Sequence, residues 1–220
     1  MGVRQERRLA TRAAIIEAAR RHVATDGAAS LSLRAVARDL DLAVSALYRY
    51  FADREALLTE LIVEAYDECA DAVEAVMAAD TGASRARRRR AFVAAAGAYR
   101  HWAQDNPSRF LLIFGTPVPG YVAPDRTTAA GTRIPLLLIG LLDPGIRTVR
   151  LPRQTRVSLD SLAQRLGVEV DAAVLASGIT AWDAVHGHVM AELSGQLGPA
   201  NADDGLFDVV VRNQLEVLGL

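Results

Sequence analysis

The chain has 220 residues, a formal net charge of −1 and 51% hydrophobic side chains, which excludes a wholly disordered polymer and leaves one large domain or a small and a medium one. Aromatic residues are only 5% and alanine is abundant, a balance that favours helix over strand. Cys69 is the single cysteine, so an intrachain disulfide or a cysteine-built zinc site is excluded.

In chain order, Ile15, Ile16, Ala19 and Val23 recur at helical spacing and predict a helix over 9–25, closed by Gly27 as a left-handed cap. Ser32 is a candidate N-cap for a short helix with Leu33, Val36, Ala37 and Leu40 on its apolar face. A third helix is expected over about 44–50. A fourth, capped by Asp53, is expected to continue through Leu57, Leu61, Ala65 and Cys69 to about Ala79. Asp80-Thr81-Gly82 breaks the pattern. A fifth helix over about 84–105 places Phe92, Ala95, Ala96, Tyr99 and Trp102 on one side, and Asn106-Pro107 opens a short sixth. Residues 115–125 hold three prolines and two glycines and read as irregular. A seventh helix over about 126–142 is expected to bend at Pro135. Residues 143–157 read as loop, followed by a short helix at 158–166 and two long ones at about 171–197 and 203–218. Arg87 to Arg90 read as a solvated helix face, as do Asp67, Glu68 and Asp71. The fold class is all-α.

The first 58 residues carry ten arginines against seven acids, and lysine is absent from the chain. A basic head on an acidic body points to an anionic partner, with Arg4, Arg7, Arg8, Arg34, Arg49 and Arg54 expected around one DNA face. Within it, Ser32 to Phe51 reads helix, tight turn, helix. Asp41 occupies the turn, and Leu47 braces the second helix. Small residues at Val44, Ser45 and Ala46 would let that helix approach base edges in a major groove. Ser32, Arg34, Tyr48, Tyr50 and Arg54 are candidate phosphate contacts, and Arg49 could serve either task. A small three-helix core with surface tyrosines is the competing reading of these residues.

This segment resembles the tetracycline-repressor family of bacterial transcription regulators. The resemblance is carried by Thr11 to Ala19, Asp26-Gly27, Ser30 to Leu40, Val44 to Phe51 and Asp53 to Leu58. It implies an all-helical homodimer with a helix-turn-helix DNA-binding domain at 1–58 and a helical ligand-binding and dimerisation domain at 59–220. The partners implied are a palindromic double-stranded DNA operator and a small-molecule effector. Asp41 and Ala43 depart from the family's usual turn glycine and serine or threonine cap. Trp182, His186 and Gly187 match a C-terminal domain class of the same family named for those residue types, WHG.

Expected effector-site residues are Tyr99, Trp102, Phe110, Phe114, Tyr121, Trp182 and His186, an aromatic supply with few polar groups. His186 also reads as a hydrogen-bonded core residue. Its i, i+2 spacing from His188 points the two rings apart and argues against a shared metal. The last two helices, with small residues at Ala176, Ala184, Gly187 and Ala191 and the stripe Leu206, Val210, Asn213 and Val217, are the expected homodimer interface. No nucleophile elbow, phosphate loop or metal-protease motif is present, so neither a catalytic role nor a cofactor is expected. A small-molecule-binding or scaffolding protein without a DNA role is the alternative. Met1 to Arg12 lacks the apolar stretch of a secretory signal, and Ile134 to Leu142 is too short to span a bilayer. A soluble cytoplasmic protein with no membrane partner is therefore expected.

Overall fold

The computed structural model describes residues 2–78, 84–143, 150–198 and 205–220. The expected break at Asp80-Thr81-Gly82, the helix end at Ala79, residues 144–149 of the expected 143–157 loop and the first residues of the last helix lie outside them. Among the described residues there are ten α-helices and no strand. They are α1 Val3–Asp26, α2 Leu33–Asp39, α3 Val44–Leu47, α4 Arg54–Ala78, α5 Arg85–Asp105, α6 Pro107–Phe114, α7 Asp125–Ile139, α8 Arg153–Leu166, α9 Ala172–Leu193 and α10 Gly205–Val217. The all-α expectation holds.

The chain divides into two compact units, residues 1–68 with 106–131, and residues 69–105 with 132–220. In the first, Ile15, Leu33, Val36, Leu47, Leu57 and Leu58 form one core. Leu112, Ile113, Val118 and Tyr121 pack against it from α6 and the loop that follows. The helix-turn-helix head is therefore built on a core that also draws on a segment some fifty residues further along the sequence. In the second unit, α5, α9 and α10 pack together, and α8 lies on α9.

Three local features depart from expectation. α1 begins at Val3, six residues before the apolar pattern starts, because its first turns are exposed and carry no apolar signal. Gly27 has positive φ (79°) but ψ of 161°, an extended mirror-image conformation open to glycine and not the left-handed helical one. α8 begins at Arg153 directly after Pro152, so part of the expected loop is helix. Its opening residues are polar and exposed, which hid it from an apolar-period reading.

Candidate functional site

The turn between α2 and α3 is a Schellman motif. Asp41 N–H donates to Arg38 O at 3.2 Å and Leu42 N–H to Ala37 O at 2.9 Å. Asp41 itself sits at φ 51°, the only non-glycine residue with positive φ among the described residues. Aspartate tolerates this region better than most L-residues, so the turn forms without glycine. α3 is shorter than expected: four helical residues, followed by single turns through Tyr50. Ala43, at its N-cap, has no side chain to bond the first amides, and so short a helix has little stability of its own. Fully buried Leu47 holds it in place. Burial of such a side chain contributes about 1.5–3 kcal/mol.

The proposed reading residues divide by exposure. Ser45, Tyr48 and Arg49 project outward, with Tyr48 55% exposed. Ala46 is half-buried, while Val44 and Tyr50 pack partly against the head core. Ser32 stands at the α2 N-cap on extended backbone, but its hydroxyl makes no capping bond and is half-exposed. Arg34 is exposed on α2. Arg54 is a brace: its Nε donates to Leu31 O at 2.9 Å, and one terminal nitrogen donates to Ala28 O at 2.9 Å and Ala29 O at 3.1 Å. These bonds tie the start of α4 to the α1–α2 connection and engage most of the guanidinium's donors. Asp53 caps α4 as expected, accepting from Ala56 N–H at 2.7 Å.

The arginines of α1 separate into two sets. Arg12 pairs with Glu60 and stacks over Phe51, and Arg20 pairs with Glu17, Glu64 and Glu68. Burial works to raise the Glu60 pKa, but hydrogen bonds from Arg12 and Arg126 outweigh it and hold the carboxyl below its ordinary value. By contrast Arg4, Arg7 and Arg8 have no acidic partner among the described residues, and neither do Arg34, Arg38 and Arg49. Arg4, Arg7, Arg8, Thr11, Arg49 and Tyr50 line one open groove of about 410 Å³. Four unneutralised guanidiniums around a concave surface, beside the exposed Ser45 and Tyr48, fit a polyanion backbone. Of the six arginines expected around one DNA face, Arg4, Arg7, Arg8 and Arg49 line this groove, whereas Arg54 is engaged by backbone carbonyls.

The aromatic residues expected to share one effector site fall into two groups, one in each unit. In the first unit Phe114 lies 5.6 Å edge-on to Tyr66 and 5.0 Å from Phe110, and Tyr121 shares a 3.0 Å hydrogen bond with Thr59. In the second, the Tyr99 hydroxyl is 2.7 Å from His186 Nδ1, and the His186 ring stacks on Trp182 at 5.5 Å. Burial pushes the His186 pKa below its ordinary value, with Asp183 opposing, so this ring is neutral at pH 7. Trp102 is buried in the core of the same unit. Two neighbouring cavities open here, a small inner one touching Tyr99 and a larger one between α7, α8 and α9, with Leu138 and Trp182 lining both. Leu162 and Leu166 of α8 lie in the stretch expected to be helical, but spacing within one helix does not show which neighbour it packs against, so their place in this wall was missed.

The basic and acidic runs of the body also resolve. Of the Arg87 to Arg90 run, half-buried Arg87 bonds Met77 O and half-buried Arg88 pairs with Asp143, so these two are structural bridges, while Arg89, which bonds Leu220 O, and Arg90 keep the exposure expected of them. Glu68 pairs with Arg20 and Arg109, and Asp71 with Arg133, while both acids stay exposed as expected, so these are surface ion pairs on a solvated face.

Comparison with known proteins reaches both units. Residues 15–61 match the family described as bacterial regulatory proteins, tetR family, and residues 92–213 match a tetracyclin repressor-like C-terminal domain. HTH-type transcriptional regulator Mb1846 of Mycobacterium bovis is 36% identical over a 231-residue alignment covering 99% of this chain and 96% of the relative. Regulator Rv1816 of Mycobacterium tuberculosis matches to the same extent. The crystal structure of SCO4313, described as a regulatory protein, superposes with a TM-score of 0.82 at 33% identity, covering 98% of this chain and 100% of that one.

Proposed function

The chain belongs to the tetR family of bacterial regulatory proteins and is a transcriptional regulator with a helix-turn-helix DNA-binding domain, and from that premise we propose that it is a repressor that grips a palindromic operator as a homodimer and is released by a small molecule. The observation that carries the operator reading is the groove of unpaired arginines beside the exposed residues of α3. In this reading Ser45 and Ala46 meet base edges, with Val44 setting their depth. Arg4, Arg7, Arg8, Arg34, Arg49, Tyr48, Tyr50 and Ser32 hold phosphates. Arg54 acts one step back, by fixing the connection before α2. Selection from a random pool of duplexes tests the proposal. An inverted repeat is the expected product, and recovery of no preferred sequence contradicts it.

A palindrome calls for two copies of the reading head. Val217 is 43% exposed, Asn213 is exposed, and Leu206 and Val210 are half-exposed on α10, while Ala176, Ala184 and Ala191 are half-exposed on α9. This is apolar and small surface that the unit's own core does not use, and it suits close helix pairing between copies. Gly187 lies in the same stretch, and a Cβ added there meets no atom within 4 Å. Gly187→Arg therefore leaves the single chain folded, with a wild-type far-ultraviolet circular dichroism spectrum, because arginine is a good helix former and its Cβ meets no atom of its own chain. The expected result in sedimentation equilibrium is a monomer. A Gly187→Arg protein that remains a dimer would place the interface elsewhere.

Release follows if the effector favours one packing of the body. α4 is continuous from Arg54 to Ala78 and so contributes residues to both units, which makes it the candidate lever. An effector changes operator affinity only by its differential affinity for the two states, typically about 5–150-fold. Among the described residues no helix is long and apolar enough to cross a membrane.

A further inference from the structure

We propose that the cavity between α7, α8 and α9 is a binding site for a neutral apolar molecule the size of two fused aromatic rings or a medium-length hydrocarbon chain. This rests on the reading of the chain as a ligand-responsive regulator and names the class of its ligand. The cavity holds about 250 Å³. An apolar cavity of roughly 150 Å³ stays dry and takes up benzene, so this one has room for a molecule of naphthalene size. Its walls are Leu138 and Ile139 from α7, Leu162 and Leu166 from α8, and Ile179 and Trp182 from α9. Among the described residues no charged side chain lines it. A carboxylate or ammonium entering would lose its hydration with no countercharge to replace it.

The inner wall explains how occupancy could be felt. Trp182 separates this cavity from the smaller one beside Tyr99, and its indole stacks on His186 with the planes 17° apart. His186 is in turn hydrogen-bonded to buried Tyr99. A molecule pressing on the indole therefore loads a stack and a hydrogen bond that join α9 to α5. The polar pair behind the wall is hydrogen-bonded to itself, so it offers no countercharge to an ionic ligand. Gly178 keeps α9 close to Leu142 at the cavity's edge: a Cβ at this position would come within 2.9 Å of Leu142 Cδ1.

The test uses the full chain at about pH 8, where decanoate is ionised and decanol is not. Calorimetry is expected to show naphthalene and 1-decanol binding once per chain, with decanoate at least about 30-fold weaker because its charge must be desolvated. Leu166→Trp and Ile179→Trp fill the cavity from opposite helices. Each is expected to weaken naphthalene binding by about tenfold or more, since interiors tolerate little added volume. Crystals of the unaltered protein soaked in 1-bromonaphthalene provide a readout independent of variant folding, with bromine expected between α7, α8 and α9. Failure of naphthalene to bind, decanoate binding as well as decanol, or bromine located elsewhere would each overturn the assignment. Binding in the cavity that leaves a selected operator duplex in place supports the site, and removes instead the reading of the chain as released by its ligand.

Discussion

Replacing Arg4, Arg7 and Arg8 together with alanine flattens the salt dependence of duplex binding. Each phosphate neutralised contributes about 0.9 to the slope of log affinity against log salt, so three lost contacts remove about 2.7 per bound chain. The expectation follows from the pairing pattern of α1. These three guanidiniums face an open groove with no acidic partner among the described residues, whereas Arg20 is held by Glu17, Glu64 and Glu68. A cation already neutralised by protein carboxylates releases few counterions from DNA. Arg20→Ala is therefore the matched control, the same charge change on the same helix with little expected effect on slope. Titrations of a selected duplex across a salt series decide the matter. Parallel lines for the triple variant and the unaltered protein would remove α1 from the DNA-binding surface.

The largest stability effect is expected from the buried ion pair of the second unit. Arg100 donates from Nε to Glu192 Oε2 at 2.8 Å and from a terminal nitrogen to Oε1 at 2.6 Å, and both side chains are 7% exposed. Gln104 adds a third bond to Oε1 at 2.9 Å, and the guanidinium lies 4.7 Å over the Phe207 ring. The pair thus ties α5 to α9 and to α10. Arg100→Met leaves a buried carboxylate without its countercharge, which costs about 3–5 kcal/mol. Arg100→Met combined with Glu192→Leu should recover most of that loss, because no charge is left to desolvate. Urea unfolding midpoints of the two variants give the comparison, and a double variant as unstable as the single one would show that the pair contributes through shape and not charge. His188 borders the same cluster, 5.5 Å from Phe207, with its Nε2 buried and unpartnered among the described residues. Burial lowers its pKa, as it does that of His186, with Glu192 opposing and Arg100 assisting at His188. A histidine with a lowered folded pKa stabilises fully above its unfolded value and loses that contribution as pH falls below it. The second unit should therefore weaken as pH drops below about 6.5.

The apolar periodicity of Ile15, Val36, Leu47 and Leu57 determined the helical head by itself, because a helix that must bury one face writes that face into its sequence every three to four residues. Asp53 as a cap and Asp41 as a turn residue are similarly local: each acts on backbone within three residues of itself. The helix ends that went unread, at Val3 and Arg153, are exposed and polar, so no packing pattern marks them. What only the tertiary structure decided is which charges and aromatics have partners. Ten arginines in the head look alike in sequence, yet Arg12, Arg20 and Arg54 are engaged by acids or carbonyls from distant segments while Arg4, Arg7, Arg8 and Arg49 share an open groove. Phe110 and Phe114 read as companions of Tyr99, but Phe114 packs edge-on against Tyr66 and Phe110 against Phe114, in the other unit. Electrostatic pairing and cavity shape depend on separations of a few ångströms between segments far apart along the chain, and spacing in a single sequence carries no measure of that distance.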